Sequence, residues 1–237
     1  MAHIIHHTFK NPDNETDWEK EAFQMYHYLL KEEERNSKET KKLMETFKRN
    51  IEKETNSTKK KILFDKLKLD LLNLRHKDDN FERMMLFILL ITKAVNEFQN
   101  RYEKNLLQIK SFENMLKIPM SKENQNKIET EIKNAHKALN ESFNKYEHRF
   151  HVINRTEMFR SVNAQRLDEF RKDGYQFKTN YMIDDSITGD DSRYFNSLKQ
   201  VRRLDEDFEY TWKGQVRRFP YPIDRPNDRQ ILIPFIS

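Results

Sequence analysis

Basic residues are concentrated in one stretch of the sequence, residues 35–77. This stretch holds 14 Lys and Arg against 6 Asp and Glu, a net charge of +8, whereas the whole 237-residue chain carries +5. Basic side chains at this density can neutralise phosphates, an anionic membrane surface or an acidic protein filament. The side chains expected to bind such an anionic surface are Lys41, Lys42, Lys48, Arg49, Lys59, Lys60 and Lys61. The alternative is a solvated helix face that balances the acidic residues 1–34.

Arginine replaces lysine as the main basic residue in the last part of the chain. The segment 200–203 reads Gln-Val-Arg-Arg, and 215–218 repeats it before a run of prolines and aromatics. Arginine interleaved with aromatic residues is typical of an extended segment that docks by planar hydrogen bonds and stacking. The residues expected to bind a partner are Arg202, Arg203, Arg217, Arg218, Phe219, Tyr221, Ile233 and Phe235. Folding of the same segment back onto its own chain is the equal alternative.

Histidines and carboxylates do not form a recognisable chemical motif. His148 and His151 lie one helical turn apart, but no HExxH or Glu-x-x-His motif supplies further ligands. The acidic turn 184–191 lacks the spacing of a calcium-binding EF-hand loop. The chain has no cysteine, and no Walker loop, nucleophile elbow or dinucleotide-binding fingerprint occurs. The sequence therefore predicts no metal site, no cofactor, no catalytic residue and no enzymatic activity.

The elements that carry these residues are long helices. Glycine is absent from the first 173 residues, and Pro119 divides a stretch whose apolar residues recur at threes and fours. Because a residue before proline avoids helical angles, one helix ends near Pro119 and another begins at Ser121. The pattern predicts a flexible leader over 1–16 and a helical hairpin or bundle over 17–173. The expected helices are 17–34, 37–54, 58–117 and 121–173.

Two breaks in this pattern carry specific expectations. Asn36-Ser37-Lys38-Glu39 resembles a capping box that restarts the first helix, and residues 76–80 offer further helix starts within 58–117. If the hairpin turns at residues 118–120, Tyr146 falls near Thr92. Asp78, the one charged residue in the apolar stripe, then falls near Arg160, whose guanidinium would compensate the carboxylate.

Residues 174–237 form a C-terminal arm of different character. Tyr175, Phe177, Thr179 and Tyr181 alternate with polar residues, which predicts a short extended piece. An amphipathic helix is expected over 192–212. From Gly214 onward the chain holds four of its six prolines, so we expect an extended Pro- and Arg-rich tail.

These features together indicate a mainly α protein: an elongated antiparallel coiled-coil hairpin or three-helix bundle with an extended C-terminal arm. Long helices with a thin core are better suited to spacers and interaction surfaces than to catalytic clefts. The leading expectation is a structural or adaptor subunit of a larger assembly, of cytoskeletal, axonemal or virion type, anchored by its arm. The alternatives are a nucleic-acid-binding accessory protein acting through residues 35–77 and a helical bundle that binds a membrane surface.

The expected partners are other protein subunits, an acidic filament or nucleic acid, or a second copy of the chain through its coiled coil. The N-terminal residues lack the pattern of a signal peptide, and no apolar run is long enough to cross a membrane. An intracellular, cytoplasmic location is the corresponding expectation.

Overall fold

A computed structural model of the chain describes residues 15–74, 81–182, 184, 189–222 and 229–235. The protein is mainly helical, and the described part contains five helices and five strands. The predicted leader 1–16 lies outside this part except for Glu15 and Thr16, with which the first helix begins. Asp78, His3, His6, His7 and residues 185–188 of the acidic turn also lie outside it.

Helix α1 (Glu15–Lys53) is continuous, so the prediction of two helices, 17–34 and 37–54, is wrong. The stripe of apolar residues lapses after Leu29 because polar residues take over its buried positions. Glu33, Asn36 and Thr40 follow Leu29 at helical spacing and are all buried. The helix therefore passes through Asn36 and Ser37 without using them as a cap.

The predicted helix 58–117 is two helices, α2 (Ser57–Asn73) and α3 (Phe81–Met115). The Asn56 side chain caps α2 by accepting a 3.1 Å hydrogen bond from the Lys59 amide. Helix α2 ends with its C-cap at Leu74, whereas residues 76–80, where the sequence offers alternative helix starts, lie outside the described residues.

Helix α4 (Lys122–Lys172) matches the predicted helix 121–173 closely. At its start, Ser121 Oγ accepts a 3.4 Å hydrogen bond from the Asn124 amide. At its end, Gly174 adopts a φ of +82°, and the Tyr175 amide donates to the Phe170 carbonyl at 3.0 Å. This is the Schellman motif, in which the residue after the helix end adopts left-handed backbone angles that favour glycine.

The contacts divide the described chain into two units. Unit 2, residues 37–74 and 85–151, is a bundle of four helical segments around an aromatic core. Each of α1, α2, α3 and α4 supplies at least one buried ring to this core. The buried rings of unit 2 are Phe47, Phe64, Phe87, Phe98, Tyr102, Phe143, Tyr146 and Phe150.

Helices α3 and α4 form the antiparallel hairpin that the sequence predicts. The predicted register is wrong, because Tyr146 stacks on Phe98 rather than lying near Thr92. With this offset the start of α4 runs past the end of α3, and residues 121–127 are accordingly exposed. Arg160 forms an ion pair with Glu157, one turn earlier on its own helix, at 2.5 Å.

Unit 1 contains residues 15–36, 81–84 and the described part of 152–237. Its strands form an antiparallel sheet in the order β2 (Arg202–Arg203), β1 (Phe177–Tyr181), β5 (Ile231–Phe235), and a hairpin of β3 (Phe208–Trp212) with β4 (Gln215–Phe219). These strands, the short helix α5 (Asp190–Ser197) and parts of α1 and α4 share one hydrophobic core.

The arm differs from its prediction in two places. The predicted helix 192–212 ends as α5 at Ser197, and the aromatic residues that follow alternate along β3 instead. Lys213 and Gly214 form the two-residue turn into β4, with φ of 48° and 77°, as type I′ hairpins require. The end of the expected extended tail is strand β5, whose residues Ile231, Leu232 and Ile233 are buried.

Candidate functional site

The basic side chains of α1 do not form a uniformly positive surface. Lys41, Lys42 and Arg49 are exposed. Lys48 is partly covered, because its Nζ lies 5.3 Å from the centre of the Phe143 ring and 3.9 Å from a carboxylate oxygen of Glu52. Glutamates therefore interrupt the positive charge along this helix.

The three consecutive lysines of α2 point in three directions, since neighbouring residues on a helix are about 100° apart. Lys59 and Lys61 are exposed. Lys60 instead lies over the Tyr102 ring, with its Nζ 5.6 Å from the ring centre. Burial lowers the pKa of the Lys60 ammonium, and the positive charge of Lys110 lowers it further. The fold thus adds Lys110, which is distant in sequence, to the basic residues of α2.

The four arginines expected to bind a partner have acceptors within their own chain. Arg202 Nε donates to Gln200 Oε1 at 3.2 Å, and Arg203 Nε lies 3.4 Å from a carboxylate oxygen of Asp205. The other two arginines lie on β4. Arg217 pairs with Asp191 at 3.2 Å, and Arg218 pairs with Glu209 at 2.5 Å. These pairs connect β4 to α5 and to β3.

Phe219 and Ile233, which the sequence predicts to contact a partner, are buried in the core of unit 1. Phe219 packs edge-on against Phe195 at 5.1 Å between ring centres. Tyr221 and Phe235 are half-buried. The arm therefore folds back onto its own chain, which is the alternative left open by the sequence.

Lys178 is a buried lysine that the sequence pattern does not reveal. Its Nζ donates to the carbonyls of Leu204 at 3.2 Å and Pro220 at 2.8 Å, and lies 5.4 Å from the centre of the Phe208 ring. Burial lowers the pKa of this ammonium to about 8, although the Asp207 carboxylate opposes the effect. An ammonium held by two backbone carbonyls connects strands, and this arrangement has the geometry of a structural lysine rather than of an exposed nucleophile.

Polar residues of α4 complete the outer edge of the sheet in unit 1. The Asn163 side chain accepts a 2.7 Å hydrogen bond from the Leu232 amide and donates one of 2.7 Å to the Gln230 carbonyl. Arg166 Nε donates to the Leu232 carbonyl at 2.7 Å, and its guanidinium pairs with Glu21. Because β5 lies at the edge of its sheet, these side chains satisfy backbone groups that would otherwise be buried unpaired.

Sequence reasoning missed Asn163 and Arg166, although both lie on one face of α4. Polar residues dominate that helix, so the sequence pattern does not distinguish these two positions from its exposed face. A single turn with both residues facing inward can be recognised only when the strand they contact is known.

Large aliphatic side chains face outward from the bundle of unit 2. Ile62 and Leu69 on α2 are 60% and 59% exposed, and Leu89 and Leu107 on α3 are 63% and 68% exposed. The buried aromatic core of the bundle does not include these side chains. Exposed aliphatic side chains of this size are suited to contact with another protein.

Within the described residues, no three potential metal ligands lie close enough to hold an ion. None of the helices described combines the length and the apolar run needed to cross a bilayer. Comparison with protein-family models, with curated proteins and with solved structures finds no match to this chain.

Proposed function

We propose that this chain is a non-enzymatic structural or adaptor subunit of a larger macromolecular assembly. The observation that carries the proposal is the outward apolar surface of unit 2. Large aliphatic side chains of two helices are exposed on a bundle whose buried aromatic core does not include them. Covering such a surface with a partner is favourable, because apolar area is removed from water.

The charged groups support the same reading. Lys178, whose pKa burial lowers to about 8, donates to two backbone carbonyls. The buried ion pair of Arg166 with Glu21 likewise joins α4 to α1. The contacts of these groups stabilise the fold of unit 1, which is consistent with a structural role for them.

The arm is not the anchor in this proposal. Its apolar side chains lie in the core of unit 1, so deleting residues 214–237 would remove β4 and β5 and disrupt that core. A test of incorporation must therefore use surface substitutions rather than truncation.

The test compares partners that co-purify with the intact chain and with the double variant Leu89→Lys/Leu107→Lys. Both residues are exposed on α3, so helicity measured by circular dichroism should stay unchanged. Loss of the co-purifying set by tenfold or so is expected, because a charge would be buried in the contact. Ser111→Lys, which adds a charge at an exposed position of the same helix, is the matched control. Equal recovery with the double variant would sink the proposal.

Binding of nucleic acid is the second candidate, and the proximity of Lys60 and Lys110 favours it. Their mutual repulsion would be relieved by a phosphate between them, since an anion compensates both charges. Its test is affinity for RNA and for DNA as a function of salt, with anionic vesicles as a separate arm for the membrane alternative. Changing Lys59, Lys60 and Lys61 to Glu should abolish the binding. The same change at Lys122, Lys133 and Lys137 of α4 is the charge-matched control.

A further inference from the structure

Helix α2 carries apolar residues on two opposite faces. One face is buried in unit 2 through Phe64, Leu67 and Leu71. Ile62 and Leu69 lie seven residues apart on the other side, where each is about 60% exposed. Two large aliphatic side chains exposed on the same side of a helix are suited to a further contact, because covering them removes apolar area from water.

The charges between the two exposed aliphatic residues give this face a two-fold pattern. Asp65 and Lys66 lie midway between Ile62 and Leu69, and both are exposed. We call these four residues the α2 outer face. Read in either direction from its midpoint, the face presents a charged residue and then a large aliphatic residue, and the two central charges are opposite. Such a pattern is self-complementary under a two-fold axis.

We propose that the α2 outer face binds the same face of a second copy of this chain, with the two α2 helices antiparallel. Ile62 then faces Leu69 of the second copy, and Asp65 faces Lys66 of the second copy. The two-fold axis repeats each pair, so the contact has two apolar pairs and two ion pairs. A partner with a uniformly acidic or uniformly basic helix would match only one of the two central charges.

The conformation of the single chain is compatible with this contact. The Asp65 carboxylate already accepts a 3.3 Å hydrogen bond from Lys68 Nζ, one turn away on the same helix. Its side chain stays 58% exposed, and a carboxylate has lone pairs for more than one donor. Lys66 can therefore approach from the second copy while Lys68 stays in place.

This inference rests on the proposed function, because it names one partner of the same subunit. The dimer can nevertheless be refuted while the proposed function stands. The contact uses one 17-residue helix, so the interface belongs to the small, weak class. Sedimentation velocity on the full chain should accordingly reach concentrations of about 0.5 mM. Wild-type protein that stays monomeric throughout overturns the dimer. If such a protein still loses its co-purifying partners upon Leu89→Lys/Leu107→Lys, the proposed function stands without it.

The apolar part of the contact is tested by Ile62→Lys and Leu69→Lys. Each variant should weaken dimerisation by about tenfold or more, because the two-fold axis repeats the change, so that two lysines enter the contact and both apolar pairs are lost. Val216→Lys is the matched control, as its aliphatic side chain is 59% exposed on β4 of unit 1, outside the surface assigned to partners. A dimer that is weakened as much by Val216→Lys, or not at all by the α2 variants, overturns the assignment to this face.

The charged part is tested by exchanging the two central residues. Asp65→Lys places Lys beside Lys66 of the second copy, and Lys66→Asp places two carboxylates together, so each single variant should weaken the dimer by about threefold to tenfold. The double variant Asp65→Lys/Lys66→Asp restores both ion pairs with their signs reversed and should recover wild-type association. Failure to recover, with helicity intact, overturns the antiparallel register.

Discussion

Phe98 of α3 stacks on Tyr146 of α4, with ring centres 4.8 Å apart and an angle of 27° between the ring planes. Phe98 also lies within 6 Å of Phe47 on α1 and Phe64 on α2, so one side chain contacts a ring from each of the other three helices. It is fully buried. The four helical segments of unit 2 therefore share a single packing centre.

Removing this ring should cost more stability than removing any exposed aliphatic side chain. We expect Phe98→Ala to lower the free energy of unfolding by about 3–5 kcal/mol, because the cavity would lie where four helices meet. Urea denaturation followed by circular dichroism measures the change. Leu107→Ala, at an exposed position of the same helix, should change it by about 0.5 kcal/mol or less. Similar losses for the two variants would contradict the aromatic core described for unit 2.

The sequence predicts elements whose signals are local. Helix α4 follows from Pro119, Ser121 and Gly174, since each acts through its own backbone or that of a neighbour. Local signals do not predict that α1 is continuous, because its buried residue Glu33 has partners that are distant in sequence. That carboxylate accepts hydrogen bonds from Arg155 at 3.0 Å and Arg229 at 2.6 Å, which are 122 and 196 residues away. A buried polar residue looks like a break until its partners are known.

The arm shows the limit of periodicity more directly. Leu204 and Phe208 are four residues apart, which fits a helix, but Phe208, Tyr210 and Trp212 also alternate as a strand does. The pair Lys213 and Gly214, which suits a two-residue turn, is the local signal that favours a hairpin over a helix. The sequence shows the candidate partner-binding residues as a dense set of arginines and aromatics. It does not show which of them are buried or which acceptors the arginines contact, because contacts between α5, β3 and β4 determine both.

Breaking the buried ion pair of unit 1 should be costly because each member is buried. Arg166 and Glu21 pair at 2.5 Å, and both side chains are less than one-tenth exposed. Arg166→Met leaves the Glu21 carboxylate without its cation and removes a donor to β5, so we expect a loss of about 3–5 kcal/mol. The double variant Glu21→Gln/Arg166→Met should lose less than the two single losses added together.

Thermal and urea unfolding of the four proteins in this cycle give the coupling between the two residues. Arg171→Met, which breaks the exposed pair with Asp168, is the control and should change stability by about 1 kcal/mol or less. Strict additivity of Glu21→Gln and Arg166→Met would show that the two side chains do not interact in solution.

The buried ammonium of Lys178 should make stability rise with pH above neutrality. Its pKa falls from an ordinary value of 10.5 to about 8 in the folded chain. Between these values the unfolded chain binds more protons than the folded chain, so raising the pH favours folding through this group. Below pH 8 both states are protonated, and the cost of burying the charge is present in full.

The measurement is the free energy of unfolding of the wild type relative to Lys178→Met, at pH 7 and at pH 10. Groups common to both proteins cancel in this difference, which should move in favour of the wild type by about 2 kcal/mol. Lys133→Met, at an exposed position of α4, should show no such movement. A difference that stays constant between the two pH values would mean that Lys178 keeps its ordinary pKa in the folded chain.

Glycine should be required at position 174 because of its backbone conformation, and not because a side chain would lack room. A side chain added there would meet no atom within 4 Å, but the φ of +82° is one that residues with a side chain adopt only at a cost. We therefore expect Gly174→Ser to lower the free energy of unfolding by about 1 kcal/mol. The same substitution at Gly189 is the control, because that residue has a φ of −78° at the N-cap of α5 and makes no side-chain cap. Gly189→Ser should leave stability unchanged or raise it slightly, since serine is a good N-cap. If Gly174→Ser behaved like Gly189→Ser in urea unfolding, the left-handed end of α4 would be refuted.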